Sequence, residues 1–256
     1  MEGGLRIDGS TKHSEPSRPL VSIITVVLNG QLHMEQTIQS VLDQTYSNIE
    51  YIIIDGGSKD NTLQIIKQYE HKIDYWQSKE DKGLYFAMNK GITLAKGEII
   101  GILNSDDFLN NNTVKYVVET YLKSPADILH GDINVVTEKG STQMRPDYEK
   151  MMQQPSIFHP TCFVKKTVYE TIGAFHTEYK ISADYDFLLR CIKSNYVFTY
   201  IPHVLSNFRP GGMSGSCKSN IEGYHIMKIH QTGFHKQVIW RAIKCYIKTF
   251  VKKIIH

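Results

Sequence analysis

Three β-rich apolar runs, each ending in a polar turn, constrain this chain most. Val21 to Leu28 (VSIITVVL) ends at Asn29-Gly30, Ile49 to Ile54 (IEYIII) at Asp55-Gly56-Gly57, and Glu98 to Leu103 (EIIGIL) at Asn104-Ser105-Asp106-Asp107. Their apolar residues do not simply alternate with polar ones, so each run is expected to be covered on both faces, as in a parallel sheet. Helical patterns lie between them: Leu32, Ile38, Val41 and Leu42 recur near helical spacing, and Asn61 to Tyr69, Leu84 to Ala95 and Thr113 to Leu122 read as helices. Gly91 is a weak point in the Leu84 to Ala95 helix. Ile73 to Trp76 and Asp127 to Val136 read as further strands. This rhythm predicts an α/β fold with a mainly parallel sheet and helices on both faces. Ligands of such sheets sit beyond the carboxyl ends of the strands, where Asp55 and the Asp106-Asp107 pair both fall.

The second half is less regular. Thr161 to Val164 reads as a strand, Lys166 to Ile172 as a helix ended by Gly173, and Asp184 to Ser194 as an amphipathic helix. Val197 to Ile201 and Val204 to Phe208 are strand-like, and Pro210 to Ser216 (PGGMSGS) reads as a loop. At 256 residues the chain can build one sizeable core, and a net charge of +3 gives no reason to expect a nucleic-acid partner. Cys162, Cys191, Cys217 and Cys245 form no C-x-x-C pair, which fits reduced thiols and excludes a zinc ribbon. Met1 to Pro19 is polar and reads as a flexible tail rather than a secretory signal, and no apolar run reaches the ~18 residues of a membrane span. A cytoplasmic protein is expected, with peripheral contact at the inner face of the cell membrane a further option.

Several acids stand where chemistry is plausible. Adjacent carboxylates at Asp106 and Asp107 suit a hard divalent cation, although either residue serves equally well as a helix cap. Asp55-Gly56-Gly57 lacks the spacing of a dinucleotide-binding loop, so it is either a base-contacting acid or a plain turn. In Asp81-Lys82-Gly83-Leu84-Tyr85 the glycine permits close backbone approach and Lys82 can offset phosphate charge at a helix start. Asp184 and Asp186 open a helix, where positions two apart point about 200° from each other, so only one of them can face a cleft. His225, His230 and His235 turn by about 140° from one to the next and cannot share a helix face, leaving His159 as the histidine to consider for the cleft.

Taken in order, VSIITVVLNG (21–30), SVLDQTY (40–46), IIIDGGSKDNT (52–62), SKEDKGLYFAMNKG (78–91), GEIIGILNSDDF (97–108) and SADYDFLLR (182–190) resemble the family 2 glycosyltransferases of GT-A fold. The similarity covers roughly residues 19 to 216 and looks most like the bacterial branch that builds surface polysaccharides. The resemblance implies a nucleotide-binding half over 20–136, an acceptor half of mixed sheet with the catalytic base over 137–216, and a C-terminal helical region over 217–256 after the tail at 1–19. It implies inverting transfer from a nucleotide-diphosphate-sugar to an acceptor hydroxyl in capsule, O-antigen or exopolysaccharide assembly, with a lipid-linked or saccharide acceptor. By the same resemblance Thr25 and Asp55 lie at the base, Lys82, Gly83 and Asn89 near the nucleotide and donor sugar, and Asp106 toward the ribose. Asp107 then holds Mg²⁺ or Mn²⁺, and Asp184 is the general base. Asn104 stands where many relatives carry an acid, and Ala183 replaces a glutamate that often precedes the base, so Asp186 stays an alternative to Asp184. The Gly211-Gly212-Met213-Ser214 stretch is expected to close over the donor. A non-catalytic nucleotide-sugar-binding scaffold of the same fold is the other reading. From Val238 to Ile255 apolar residues fall near helical spacing with Arg241, Lys244, Lys248, Lys252 and Lys253 between them, a pattern suited to an anionic membrane surface.

Overall fold

The apolar runs line up side by side as the centre of one sheet. The computed structural model describes residues 1–212, 216–233, 239–240 and 242–245. Its strands are β1 (Glu2–Gly3), β2 (Val21–Val27), β3 (Ile49–Asp55), β4 (Tyr75–Ser78), β5 (Ile99–Asn104), β6 (Phe108–Leu109), β7 (Ile128–Thr137), β8 (Gly140–Met144), β9 (Phe163–Lys165) and β10 (Phe198–Phe208). Across the sheet they run β1-β4-β3-β2-β5-β9-β7-β10-β6, with β8 paired to β7. The helices are α1 (Met34–Leu42), α2 (Thr62–Gln68), α3 (Leu84–Leu94), α4 (Thr113–Lys123), α5 (Lys166–Ile172), α6 (Ala183–Lys193) and α7 (Cys217–Ile229). Strands β4, β3, β2 and β5 are mutually parallel, as expected for the nucleotide-binding half. Strand β9 is antiparallel to both β5 and β7, so β7 and its parallel partner β10 again point the same way as β2.

Every residue of β2 and β3 is buried, which is why neither run alternates. Ile24, Ile52, Ile54 and Ile102 pack with Met88 and Ile92 of α3, Val168 of α5 and Leu188 of α6 on one face. Ile23, Ile53 and Leu103 pack with Ile38 of α1, Ile66 of α2 and Val117 of α4 on the other. The two strand patterns expected between 197 and 208 are one strand, β10, whose register shifts between Ile201 and Val204. Pro202 lies in that interval and has no N–H to give the ladder, so the strand bulges there.

Two expectations are corrected. Residues 1–19 are not a flexible tail: β1 adds to the edge of β4, and the Arg6 guanidinium donates to the Leu94 carbonyl at 3.0 Å. Lys12 Nζ lies 2.8 Å from Asp74, and Arg6 lies 3.6 Å from Glu50. Both acids are buried, and an unpaired buried carboxylate is costly, so the basic residues of this segment are fixed by the partners they neutralise. The cysteines are not four separate thiols, because Cys217 and Cys245 form a disulfide while Cys162 and Cys191 are free and buried. Among the described residues no helix is long and apolar enough to cross a membrane. Of the basic C-terminal stretch, residues 239–240 and 242–245 are helical and the remainder lies outside the described residues, as do Met213 and Ser214 of the expected closing loop.

Candidate active site

The loops that leave β2 and β3 are laced together at the carboxyl end of the sheet. Asn29 takes up a left-handed conformation (φ 55°), its N–H donates to Ser58 Oγ at 2.7 Å, and its side chain accepts from the Lys59 N–H at 2.8 Å. Gly30 N–H donates to Thr62 and Gln31 N–H to Asp60. At the end of β3 the Asp55 carboxylate is buried and accepts from Ser58 Oγ at 2.5 Å and Ser78 Oγ at 2.6 Å. Gly56 follows, and a Cβ placed on it would come within 2.9 Å of Asp81 Oδ2. Asp81 in turn accepts from the Gly83 N–H at 2.8 Å, fixing the turn that starts α3.

The Asp106-Asp107 turn at the end of β5 is braced from three directions. Thr37 of α1 donates to the carbonyls of Ser105 and Asp107 at 2.9 and 2.7 Å. The Arg209 guanidinium donates to the Asp106 carbonyl and to Gln36, and lies over the Phe108 ring at 4.7 Å. Asp107 is fully buried, with one oxygen accepting from the Arg209 N–H at 3.0 Å and the other from Asn104 Nδ2 at 3.1 Å. Burial, and then the charge of Asp106, push the Asp107 carboxyl up to about 7. Asn104 therefore has a physical role at this turn: its amide donates to Asp107, where another carboxylate would repel it. Each Asp107 oxygen thus accepts one hydrogen bond, which leaves further lone pairs on the carboxylate. Asp106, part-exposed beside it, is the carboxylate that faces outward.

On α6, Asp184 is part-exposed. The single Tyr85 hydroxyl proton is shared between Asp184 Oδ1 at 3.1 Å and the nearer Ile181 carbonyl at 2.6 Å. Burial, reinforced by Asp184, holds the Tyr85 phenol far above its usual range, so it stays a donor. The segment before α6 is pinned by Glu222 of α7, whose carboxylate accepts backbone N–H groups of Lys180, Ile181 and Ser182 at 2.7 Å each. His159 is close enough for Asp184 to act on it electrostatically, although burial keeps its imidazole below the usual range. Asp186 points away: it is 2 % exposed and bonds Arg190 Nε at 2.9 Å, His230 Nε2 at 2.8 Å and His176 Nδ1 at 3.0 Å. Of the two acids, Asp184 is thus the part-exposed one and Asp186 the buried, paired one.

Two other expected residues take different positions. Thr25 is fully buried inside the sheet, with its hydroxyl 3.1 Å from that of Tyr51, so it does not line the cleft. Asn89 is part-exposed, and its amide donates to the Phe175 carbonyl at 2.8 Å and accepts from the Phe175 N–H at 2.9 Å. Lys82 and Gly83 are exposed on the turn ahead of α3. Thr37, Tyr85, Arg209 and Glu222 carry the site's geometry and have no sequence signal, since each acts on a turn remote in the chain. Among the described residues no group of three or more His, Cys, Asp or Glu could hold a metal by itself.

The sequence pattern described as Glycosyl transferase family 2 matches residues 22–179. An uncharacterized glycosyltransferase of Rickettsia typhi is 30% identical over 235 residues, covering 86% of this chain and 73% of that protein. A PGL/p-HBAD biosynthesis glycosyltransferase of Mycobacterium bovis is 28% identical over 205 residues, covering 77% and 80%. Among solved structures, S. aureus TarS in complex with UDP-GlcNAc superposes with a TM-score of 0.67 at 19% identity, over 82% of this chain and 65% of that one. The mannosyltransferase PcManGT of Pyrobaculum calidifontis, in complex with GDP-Man and Mn²⁺, gives 0.65 at 18% identity, over 92% and 71%. These neighbours share the open α/β sheet flanked by helices, the GT-A fold. With the family pattern spanning β2 to the loop before α6, the chain belongs to the family 2 glycosyltransferases.

Proposed function

We propose that this glycosyltransferase moves a sugar from a metal-bound nucleoside diphosphate to an acceptor hydroxyl, with inversion at the anomeric carbon. One observation carries the reading: the base candidate and the nucleotide-side turns are mechanically one unit. Asp184 is tied to Tyr85 in the first turn of α3, that helix starts at the turn held by Asp81, and Asp81 packs on Gly56 at the end of β3. A donor seated across the carboxyl ends of β2, β3 and β5 would lie against this unit, with Asp55 forming the pocket floor and Lys82 and Gly83 beside the phosphates.

The residues at the β5 turn suit Mg²⁺ or Mn²⁺. Such cations keep several waters and need only one or two carboxylates besides substrate phosphate oxygens, and Asp106 offers an outward carboxylate beside a second, buried acid. When bound, the cation supplies charge neutralisation for the leaving diphosphate. In the proposed reaction Asp184 removes the acceptor hydroxyl proton, the oxygen bonds to the anomeric carbon, and the bond to the diphosphate breaks with its electron pair leaving on phosphate. Asp107 and Arg209 hold the turn that presents Asp106, and Glu222 holds the turn that presents Asp184. Placement in capsule, O-antigen or exopolysaccharide assembly, on a lipid-linked or saccharide acceptor, is supported by the motif resemblance. Likeness to a protein named for PGL/p-HBAD biosynthesis also favours a biosynthetic role.

The test is calorimetric titration with UDP, GDP and dTDP, in Mn²⁺ and in chelator. Tight binding of one nucleotide that is lost in chelator is the expected result. Binding that ignores the metal would reject metal dependence, and no binding by folded protein would favour the scaffold reading.

A further inference from the structure

A second pocket lies away from the carboxyl ends of the strands. It measures about 540 Å³ and is lined by His130 of β7, Phe198 and Tyr200 of β10, and Arg145, Pro146, Asp147 and Tyr148. Its walls are aromatic: Tyr148 and Phe198 have ring centroids 5.1 Å apart, and His130 lies 5.8 Å from Tyr200. Tyr148 is 45% exposed, while Phe198 and Tyr200 are half-buried. The Arg145 guanidinium lies 4.7 Å over the Tyr200 ring. Behind that ring, Asp132 accepts from the Tyr200 hydroxyl at 2.7 Å and from Gln143 Nε2 at 2.6 Å, which fixes Tyr200 in place.

His130 is 3% exposed, and its Nδ1 has no hydrogen-bond partner. Leaving such a nitrogen unpaired costs about 1–3 kcal/mol, and with almost no accessible surface it is closed to solvent and to the pocket alike. A pocket with a few polar groups among aromatic walls, in the ~300–1,000 Å³ range, is the usual form of a small-molecule site.

We propose that this pocket is a carbohydrate subsite that holds a neutral hexose ring of the saccharide acceptor. This assignment rests on the transferase reading. A sugar ring has one face of C–H groups, which suits the electron-rich faces of Tyr148, Phe198 and Tyr200, and a rim of hydroxyls for Arg145. Asp132 behind the Tyr200 ring carries a negative charge that disfavours a phosphate, while Asp147 in the wall is paired with Lys150. The pocket also lies on the sheet face that carries the base. His130 is two residues from Ile128, hence on the same side of β7, and Ile128 packs in the cluster that holds Ala183 and Tyr185 of α6. Tyr185, next to Asp184, donates from its hydroxyl to the Met151 carbonyl at 2.9 Å, three residues beyond Tyr148. The pocket wall and the start of α6 are therefore joined.

The experiment is saturation-transfer NMR on the full chain with the methyl glycosides of glucose, galactose, mannose and N-acetylglucosamine. At least one is expected to bind the wild type, and Tyr148→Ala and Arg145→Ala are each expected to weaken it about three- to tenfold. Both side chains are exposed, so neither truncation opens the core. Nucleotide affinity, measured in parallel, is expected to be the same in both variants and wild type. No binding by any glycoside, or binding that both variants leave unchanged, would overturn the proposal. Loss of nucleotide binding by wild type with glycoside binding intact would instead strike the donor-site reading.

Discussion

On α6, Asp184 accepts one hydrogen bond and stays part-exposed, whereas Asp186 is buried among Arg190, His176 and His230. Breaking a buried charge cluster by removing its centre costs about 3–5 kcal/mol, so Asp186→Ala should lower the urea midpoint sharply. Asp184→Asn keeps an oxygen for Tyr85 and should leave that midpoint in place while reducing kcat about 10²–10⁴-fold. The reverse pattern would mean that Asp186 is the base. The acids of the site were legible as residues because each follows a strand or opens a helix. Their division into working and bracing groups was not, because His176 and His230 reach Asp186 from outside its helix. Asp106 and Asp107 illustrate the same limit, since the contact that engages Asp107 comes from Arg209, over a hundred positions away.

At the scale of elements, α3 links the nucleotide side to the base. It begins at Gly83, whose φ of 131° favours glycine, and Tyr85 and Asn89 on its first turns hold Ile181, Asp184 and Phe175. Gly91, which reads in the sequence as a weak point of a helix, is a contact: a Cβ there would come within 2.4 Å of Ile24 Cγ2. Ile24 is fully buried and branched at Cβ, so it has little room to turn away. Gly91→Ala should therefore destabilise the protein by about 1–3 kcal/mol despite alanine's higher helix propensity, as read from denaturation midpoints. A stabilised variant would show that α3 does not sit that close to β2. The helices and central strands were legible because their apolar periods are long. Strands β1, β6 and β8 were not, since each is short or wholly exposed and owes its form to the strand it pairs with.

For the molecule as a whole, the sheet supports the proposed donor site, the base candidate and the pocket beside His130, and its stability carries a pH signature. Burial holds the His130 imidazole down to about 4, with Asp132 opposing and Arg145 also lining the space beside it. Its folded value lies below the unfolded one, so the unfolded chain takes up the proton first as pH falls. The stability this histidine contributes is present above about pH 6.5 and is lost down to about 4, amounting to about 2 kcal/mol between pH 7 and pH 5. Comparison of urea unfolding for wild type and His130→Gln at those two pH values should show the wild type losing that much more. Equal losses would mean that His130 is protonated in the folded protein.

The sequence by itself determined the parallel strands of the first half, the acids that end them, and the family. Those properties are local: buried runs fix strands, turn residues end them, and ordered motifs survive as a pattern. Tertiary structure alone decided that the N-terminal segment is docked, that Cys217 meets Cys245, that Thr25 is buried against Tyr51, that Asn89 bonds the Phe175 backbone, and that Asp184 stays part-exposed while Asp186 is buried. Each of these depends on a partner distant in the chain. Whether a polar side chain works or braces is set by which neutralising or hydrogen-bonding group folding brings against it.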